Sequence, residues 1–131
     1  MSARGDRAAA AGQAQRRARE RFVHALRTLD RRWAETFHEG DFYDLHYSDL
    51  FTELWLRDGQ PVPRTEAYTY MRNVSPQTAI KYLNRAIEEG YLTEVENPRD
   101  GRSRLLGMSP KLRERMDALV DEMIEAFRGA V

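Results

Sequence analysis

The sequence predicts a mainly α-helical domain carrying one small β-hairpin, with long helices at either end. Three observations carry this. Apolar residues recur at three- and four-residue steps near both ends of the chain, Ser-Pro pairs stand at two helix starts, and one alternating, β-rich stretch is followed by a turn cluster and a return. Of 131 residues, 41% are apolar and 32% charged, enough apolar side chain for one packed domain.

Residues 1–14 hold Gly5, Gly12 and small side chains without periodicity, and read as a disordered leader ahead of a single domain over 15–131. Over 15–37, Phe22, Leu26, Leu29, Trp33 and Phe37 form one apolar stripe on a long helix, and Gly40 follows as a stop. A second helix spans about 43–57. It is apolar on more than one side (Leu45, Leu50, Phe51, Leu54, Trp55, Leu56), which predicts thorough burial, and 58–61 end it. Pro61-Val62-Pro63 reads as an extended link, 65–71 as a short helix and Asn73-Val74 as a turn. Ser75-Pro76 starts a helix to about 89, with Ser as N-cap and Pro at the first helical position, and Gly90 stops it. Residues 91–95 alternate, 97–101 (Asn-Pro-Arg-Asp-Gly) turn the chain, and 103–108 return. Ser109-Pro110 then caps a last helix to about 128, striped by Leu112, Met116, Leu119, Val120, Met123 and Phe127. This order describes a winged helix-turn-helix flanked by long N- and C-terminal helices. The outer stripes, over 15–37 and 109–128, are longer than so small a lobe needs, which makes them candidate dimerisation helices.

Charge excludes some functions and localises others. Lys and Arg total 21 and so do Asp and Glu, so the surface is not uniformly basic. Residues 1–32 nonetheless hold nine Arg against three carboxylates, and 33–60 one Arg against seven. The arginines over 16–32 are expected to attract phosphate without reading bases. No cysteine is present, which excludes disulfides, thiolate metal sites and cysteine nucleophiles and fits a reducing, cytoplasmic setting. No apolar run is long enough to span a membrane, and the start lacks the apolar core of a secretory signal. There is no glycine-rich phosphate loop and no recognisable Ser-His-Asp context, so the chain reads as a non-enzyme without cofactor. His38, Glu39, Asp41, Asp44 and His46 cluster in sequence, but they straddle a helix break at no zinc-like spacing, and a solvated acidic loop is the expected reading. The aromatics Trp33, Phe37, Phe42, Tyr43, Tyr47, Phe51 and Trp55 are expected chiefly in the core.

Ser75-Pro76-Gln77-Thr78-Ala79, Leu83, Gly90-Tyr91-Leu92, residues 97–105 (Asn-Pro-Arg-Asp-Gly-Arg-Ser-Arg-Leu) and Met108-Ser109-Pro110 together resemble the multiple-antibiotic-resistance regulator (MarR) family of winged helix-turn-helix regulators. The resemblance covers about 62–112, and the wing is its most specific part. Residues 64–72 lack that family's usual Leu-Ala-rich first motif helix. The resemblance implies a homodimeric, sequence-specific regulator of transcription that binds double-stranded DNA. Its recognition helix would be 75–89 and its wing 91–108. On that helix Ala79, Leu83 and Ala86 should pack inward, leaving Gln77, Thr78, Lys81 and Arg85 to face bases, while the Ser75 end offers N–H groups to a phosphate. In the wing, Arg99, Arg102 and Arg104 flank the loop; the resemblance implies that Arg102 enters a minor groove and Asp100 orients it. It also implies a small aromatic effector, held by Tyr and Trp between the outer helices and the DNA lobe. Two other readings share the fold. One is a protein–protein module docking through the hairpin or the acidic 33–60 segment, and the other an architectural DNA binder without effector.

Overall fold

A computed structural model describes residues 3–40 and 42–131. In chain order these form α1 (Ala3–Thr36), α2 (Leu45–Leu56), β1 (Val62–Pro63), α3 (Arg64–Tyr68), α4 (Pro76–Glu88), β2 (Leu92–Asn97), β3 (Asp100–Met108) and α5 (Pro110–Arg128). The three strands make one antiparallel sheet in the order β1-β3-β2, with Val62 opposite Leu106 and Leu92 opposite Met108. This is the mainly helical, hairpin-bearing architecture that the sequence predicts.

Both Ser-Pro starts behave as capped termini. Ser75 Oγ accepts the Thr78 N–H and Ser109 Oγ accepts that of Leu112, with Pro at the first helical position each time. On α4, Ala79, Leu83 and Ala86 are buried, as their spacing requires. They pack toward an aromatic core in which the Phe51 ring lies 5.4 Å from Phe37, 5.6 Å from Tyr47 and 5.6 Å from Tyr91. Phe42 closes that cluster from the loop between α1 and α2. So Phe37, Phe42, Tyr47 and Phe51 are core residues, whereas Trp33 and Trp55 lie at its edge and Tyr43 is exposed.

Five sequence expectations are corrected. Residues 3–14, expected as a disordered leader, are the first turns of α1: Ala8 to Ala11 and Ala14 are strong helix formers, which outweighs Gly5 and Gly12 at about 1 kcal/mol each. Pro61-Val62-Pro63, expected as a plain link, contributes β1, because an edge strand tolerates a residue without an N–H. The hairpin turns on Pro98-Arg99 alone, so β3 starts at Asp100 rather than Ser103. α2 is buried on one side only, with Leu45 79% and Leu56 69% exposed. The short helix also shifts, to Arg64–Tyr68, and Asn73 takes a positive φ of 58° before the Ser75 cap, a conformation Asn tolerates.

Phe51 touches every ring of the aromatic cluster and is fully buried. Phe51→Ala is expected to destabilise the chain by about 3–5 kcal/mol in urea unfolding. A midpoint unchanged from the parent would contradict this core.

Candidate nucleic-acid interface

α4 presents a narrow polar face. Gln77 and Lys81 are exposed on it, and Thr78 is half-buried. Arg85, expected beside them, is drawn aside. Its guanidinium lies over the Phe42 ring, 5.4 Å from the centroid, in space that Gly40 leaves open. Gly40 has a φ of 59°, which favours glycine, and a Cβ there would stand 2.7 Å from Arg85 Nη2, displacing that flexible end from its place over Phe42. Asn84 and Glu88 fall on the polar face instead, continuing the 77-81 spacing, and both are exposed. Sequence reasoning missed Asn84, although the 77-81-84-88 steps carry the signal. The Ser75 end offers a phosphate less than expected, since Pro76 has no N–H and the Thr78 N–H already bonds Ser75 Oγ at 3.2 Å.

The helix is aimed by ties at both flanks. Arg64, at the start of α3, donates to Asn84 Oδ1 at 2.8 Å, to Glu94 Oε1 at 3.0 Å and to the Tyr68 hydroxyl at 3.2 Å. One guanidinium thereby joins α3, α4 and β2. Tyr47 donates its hydroxyl to the Tyr82 carbonyl at 3.0 Å, holding α4 against α2.

At the hairpin tip, Asn97 Oδ1 accepts the Arg99 N–H at 3.0 Å and Asp100 Oδ1 accepts the Arg102 N–H at 3.0 Å. Asn97 Nδ2 donates to Ser103 Oγ at 2.9 Å. These side-chain bonds, two of them to backbone N–H groups, brace the tip where the register shifts after Glu96. Asp100 thereby holds the backbone of Arg102. Arg99, Arg102 and Arg104 are exposed and make no ion pair among the described residues. The wing thus presents three exposed arginines near a braced tip, with Glu96 opposite Arg104 across the ladder.

Behind the site, Glu39 accepts from Arg115 at 3.2 Å, from the Tyr91 hydroxyl at 3.1 Å and from Lys111 at 3.4 Å. Arg115 also donates to the Tyr91 oxygen at 2.6 Å and to the Thr36 carbonyl at 3.3 Å, and Lys111 to the Glu89 carbonyl at 2.8 Å. Arg115, with help from Tyr91, holds the Glu39 carboxyl below its ordinary value. Burial, with Glu39 beside it, pushes the Tyr91 hydroxyl up to about 12. The node ties the end of α1 and the start of α5 to the last turn of α4.

The remaining acidic-loop residues disperse. His38 bonds the Glu35 carbonyl, Asp44 caps α2 and His46 stacks on Tyr82, while Asp41 lies outside the described residues. Among the described residues no three His, Asp or Glu side chains converge as metal ligands. A groove of about 700 Å³ opens between α1, α2 and α5, walled by Trp33, Tyr43, Leu45, Val120, Ile124 and neighbours, with Asp30 the charged residue in its lining. Among the described residues no helix is long and apolar enough to cross a membrane.

No family model matches the chain, and no curated protein matches it in sequence. Solved structures do match its fold. A transcriptional regulator from Thermotoga maritima superposes with a TM-score of 0.58 at 19% identity, covering 84% of this chain and 75% of that one. A MarR-family transcriptional regulator from Streptomyces coelicolor in complex with DNA gives 0.56 at 16% identity, covering 84% and 68%. A MarR mutant from E. coli complexed with operator DNA gives 0.52 at 16% identity, covering 85% and 78%. The fold of this chain is that of the MarR-type winged-helix regulators.

Glu39 titrates lower in the folded chain than its unfolded value of 4.5, so its stabilisation is present above pH 4.5 and is lost as pH falls through the lowered folded value. Glu39→Gln is expected to flatten that acid limb in pH-dependent melting. An acid limb identical to the parent's would show that the node contributes nothing there.

Proposed function

We propose that this chain is a homodimeric, sequence-specific DNA-binding regulator of transcription acting in the cytoplasm. The observation that carries the reading is the pairing of an exposed Gln77–Lys81 face on α4 with an exposed-arginine wing on a MarR-type fold. Two copies of α4 would enter successive major grooves about 34–36 Å apart, and the wings would reach the flanking minor grooves. Gln77 suits adenine and Lys81 guanine, while Thr78 suits a methyl or phosphate. Arg102, with Arg99 and Arg104 beside it, suits the negative potential of a narrow minor groove. Arg85 takes a supporting role, holding α4 to Phe42.

Homodimerisation through α1 and α5 is supported by what the chain leaves uncovered. Phe22 and Phe127 satisfy one another in part at 5.3 Å, yet Phe22, Val23, Leu26 and Ile124 remain 42–51% exposed. The α1–α2–α5 groove is the natural seat for a small aromatic effector: Trp33 and Tyr43 line it, and Trp33 Nε1 is buried without a hydrogen-bond partner among the described residues.

Salt-titrated binding to a site selected from genomic fragments tests the reading. Arg102→Ala is expected to lower affinity and reduce the salt slope by about one. Lys81→Ala is expected to cost ~1–3 kcal/mol at one base position and relax preference there. Both variants should melt like the parent. If both also bind like the parent, these residues do not read DNA and the protein-docking alternative takes over.

A further inference from the structure

The polar face of α4 holds an amide whose orientation is settled by its neighbour. Asn84 is exposed and stands next after Lys81 in the row that Gln77 begins. Its Oδ1 accepts from Arg64 Nη2 at 2.8 Å. A guanidinium carries donors and no acceptor, so the oxygen of the amide must face it; a flipped amide would set N–H against N–H. The guanidinium is itself fixed. Nη1 donates to Glu94 Oε1 at 3.0 Å and Nε to the Tyr68 hydroxyl at 3.2 Å, and the Arg64 side chain is only 22% exposed. A planar fork engaged at every nitrogen cannot turn without breaking all of these bonds. The Asn84 amino group is therefore the free end of the side chain, and it makes no hydrogen bond among the described residues.

This asymmetry bears on which base edge the side chain can read. An unpinned asparagine suits adenine: Oδ1 accepts from the N6 amino group while Nδ2 donates to N7. At Asn84 the oxygen is already bonded to a cation, so the amino group is what meets a groove. A donor selects acceptors. Guanine sets two of them, N7 and O6, side by side on its major-groove edge. Adenine has an amino donor where guanine has O6, cytosine offers only a donor, and thymine offers O4 beside a methyl. A donor facing a donor in a desolvated interface leaves both unpaired, which is the costly case. Lys81, on the same face, is also donor-only, so the middle of the row presents donors throughout.

We propose that Asn84 reads guanine, and that Arg64 is the positioning residue that sets this choice by holding the amide with its donor outward. This rests on the DNA-binding reading above and goes beyond it in adding a base-reading residue, in the base selected and in what selects it. Because Glu94 anchors the same guanidinium from β2, the hairpin and the helix share the determinant.

The test is selection of bound duplexes from a randomised library, followed by competition among single-base variants of the preferred site. The parent is expected to favour guanine over adenine about tenfold at one base position, and Asn84→Ala to lose that preference there while reading the other positions as before. Asn84→Asp keeps the shape, satisfies Arg64 and turns an acceptor outward, so the preference should move to cytosine. Arg64→Met and the polar Arg64→Gln each free the amide to turn, and adenine should rise to within about threefold of guanine at that position alone. Melting curves show which variants fold; Asn84→Ala, at an exposed helical position, should melt like the parent. If Asn84→Ala weakens binding equally for every base, or leaves the profile unchanged, Asn84 does not read bases, and the DNA-binding reading still stands. A parent that prefers adenine at the position released by Asn84→Ala overturns the locked amide, with no need of the Arg64 variants. Folded Arg64 variants that keep the full guanine preference overturn the positioning role. A parent that selects no sequence overturns this inference and the regulator reading together.

Discussion

Tyr91 is where the parts of this fold are held to one another. Its ring packs edge-on against Phe42 at 4.9 Å and against Phe37 at 5.7 Å, inside the aromatic core. Its hydroxyl joins Glu39 and Arg115 at the end of α1. Its backbone N–H bonds the Ala86 carbonyl in α4, and its carbonyl takes the N–H of Ser109, the cap of α5. One residue at the entry to β2 thus connects both outer helices, the polar helix and the hairpin. A buried tyrosine carries this combination because its ring is apolar while its hydroxyl still needs a partner. The ionic node supplies that partner without leaving a charge alone.

The consequence for the site is geometric. α4 has no freedom to roll, because Arg64 holds one flank, Tyr47 another and Lys111 its last turn. Its apolar residues are small along the buried face, Ala79 and Ala86 around Leu83, so the helix sits close to the core. The hairpin is braced differently. Its tip has few packed neighbours, and Asn97, Asp100 and Ser103 stiffen it by local hydrogen bonding instead. A rigid helix beside a locally braced, positively charged tip suits a surface that must match grooves of fixed spacing.

The outer helices follow another logic. Within the chain they meet through Phe22 and Phe127 and through the Arg32–Glu122 pair, which covers only part of each apolar stripe. Ile124 and Phe127 of the α5 stripe also frame the groove, so closing one bears on the other. The Glu39 node lies between this region and α4, and links the end of α1 and the start of α5 to the end of α4 by hydrogen bonds.

The sequence by itself determined the order of elements, the two capped helices, the inward set Ala79, Leu83 and Ala86, and the arginine-bearing hairpin. These follow from local rules: a cap acts within three residues, and amphipathic spacing repeats within one helix. The exposure of Gln77, Lys81 and Arg102 was legible for the same reason. Tertiary structure alone decided that Arg85 turns back over Phe42, because that needs the empty space at Gly40, 45 residues earlier. It alone made Pro61-Val62-Pro63 a strand, since β1 exists only by pairing with β3. It alone assembled Glu39, Tyr91, Lys111 and Arg115, whose sequence separations of up to 76 carry no periodic signal. Residues 3–14 went the other way. Their alanines favoured helix locally, but the lack of an apolar period hid it, because a periodic stripe reveals only helices that bury a face in their own chain.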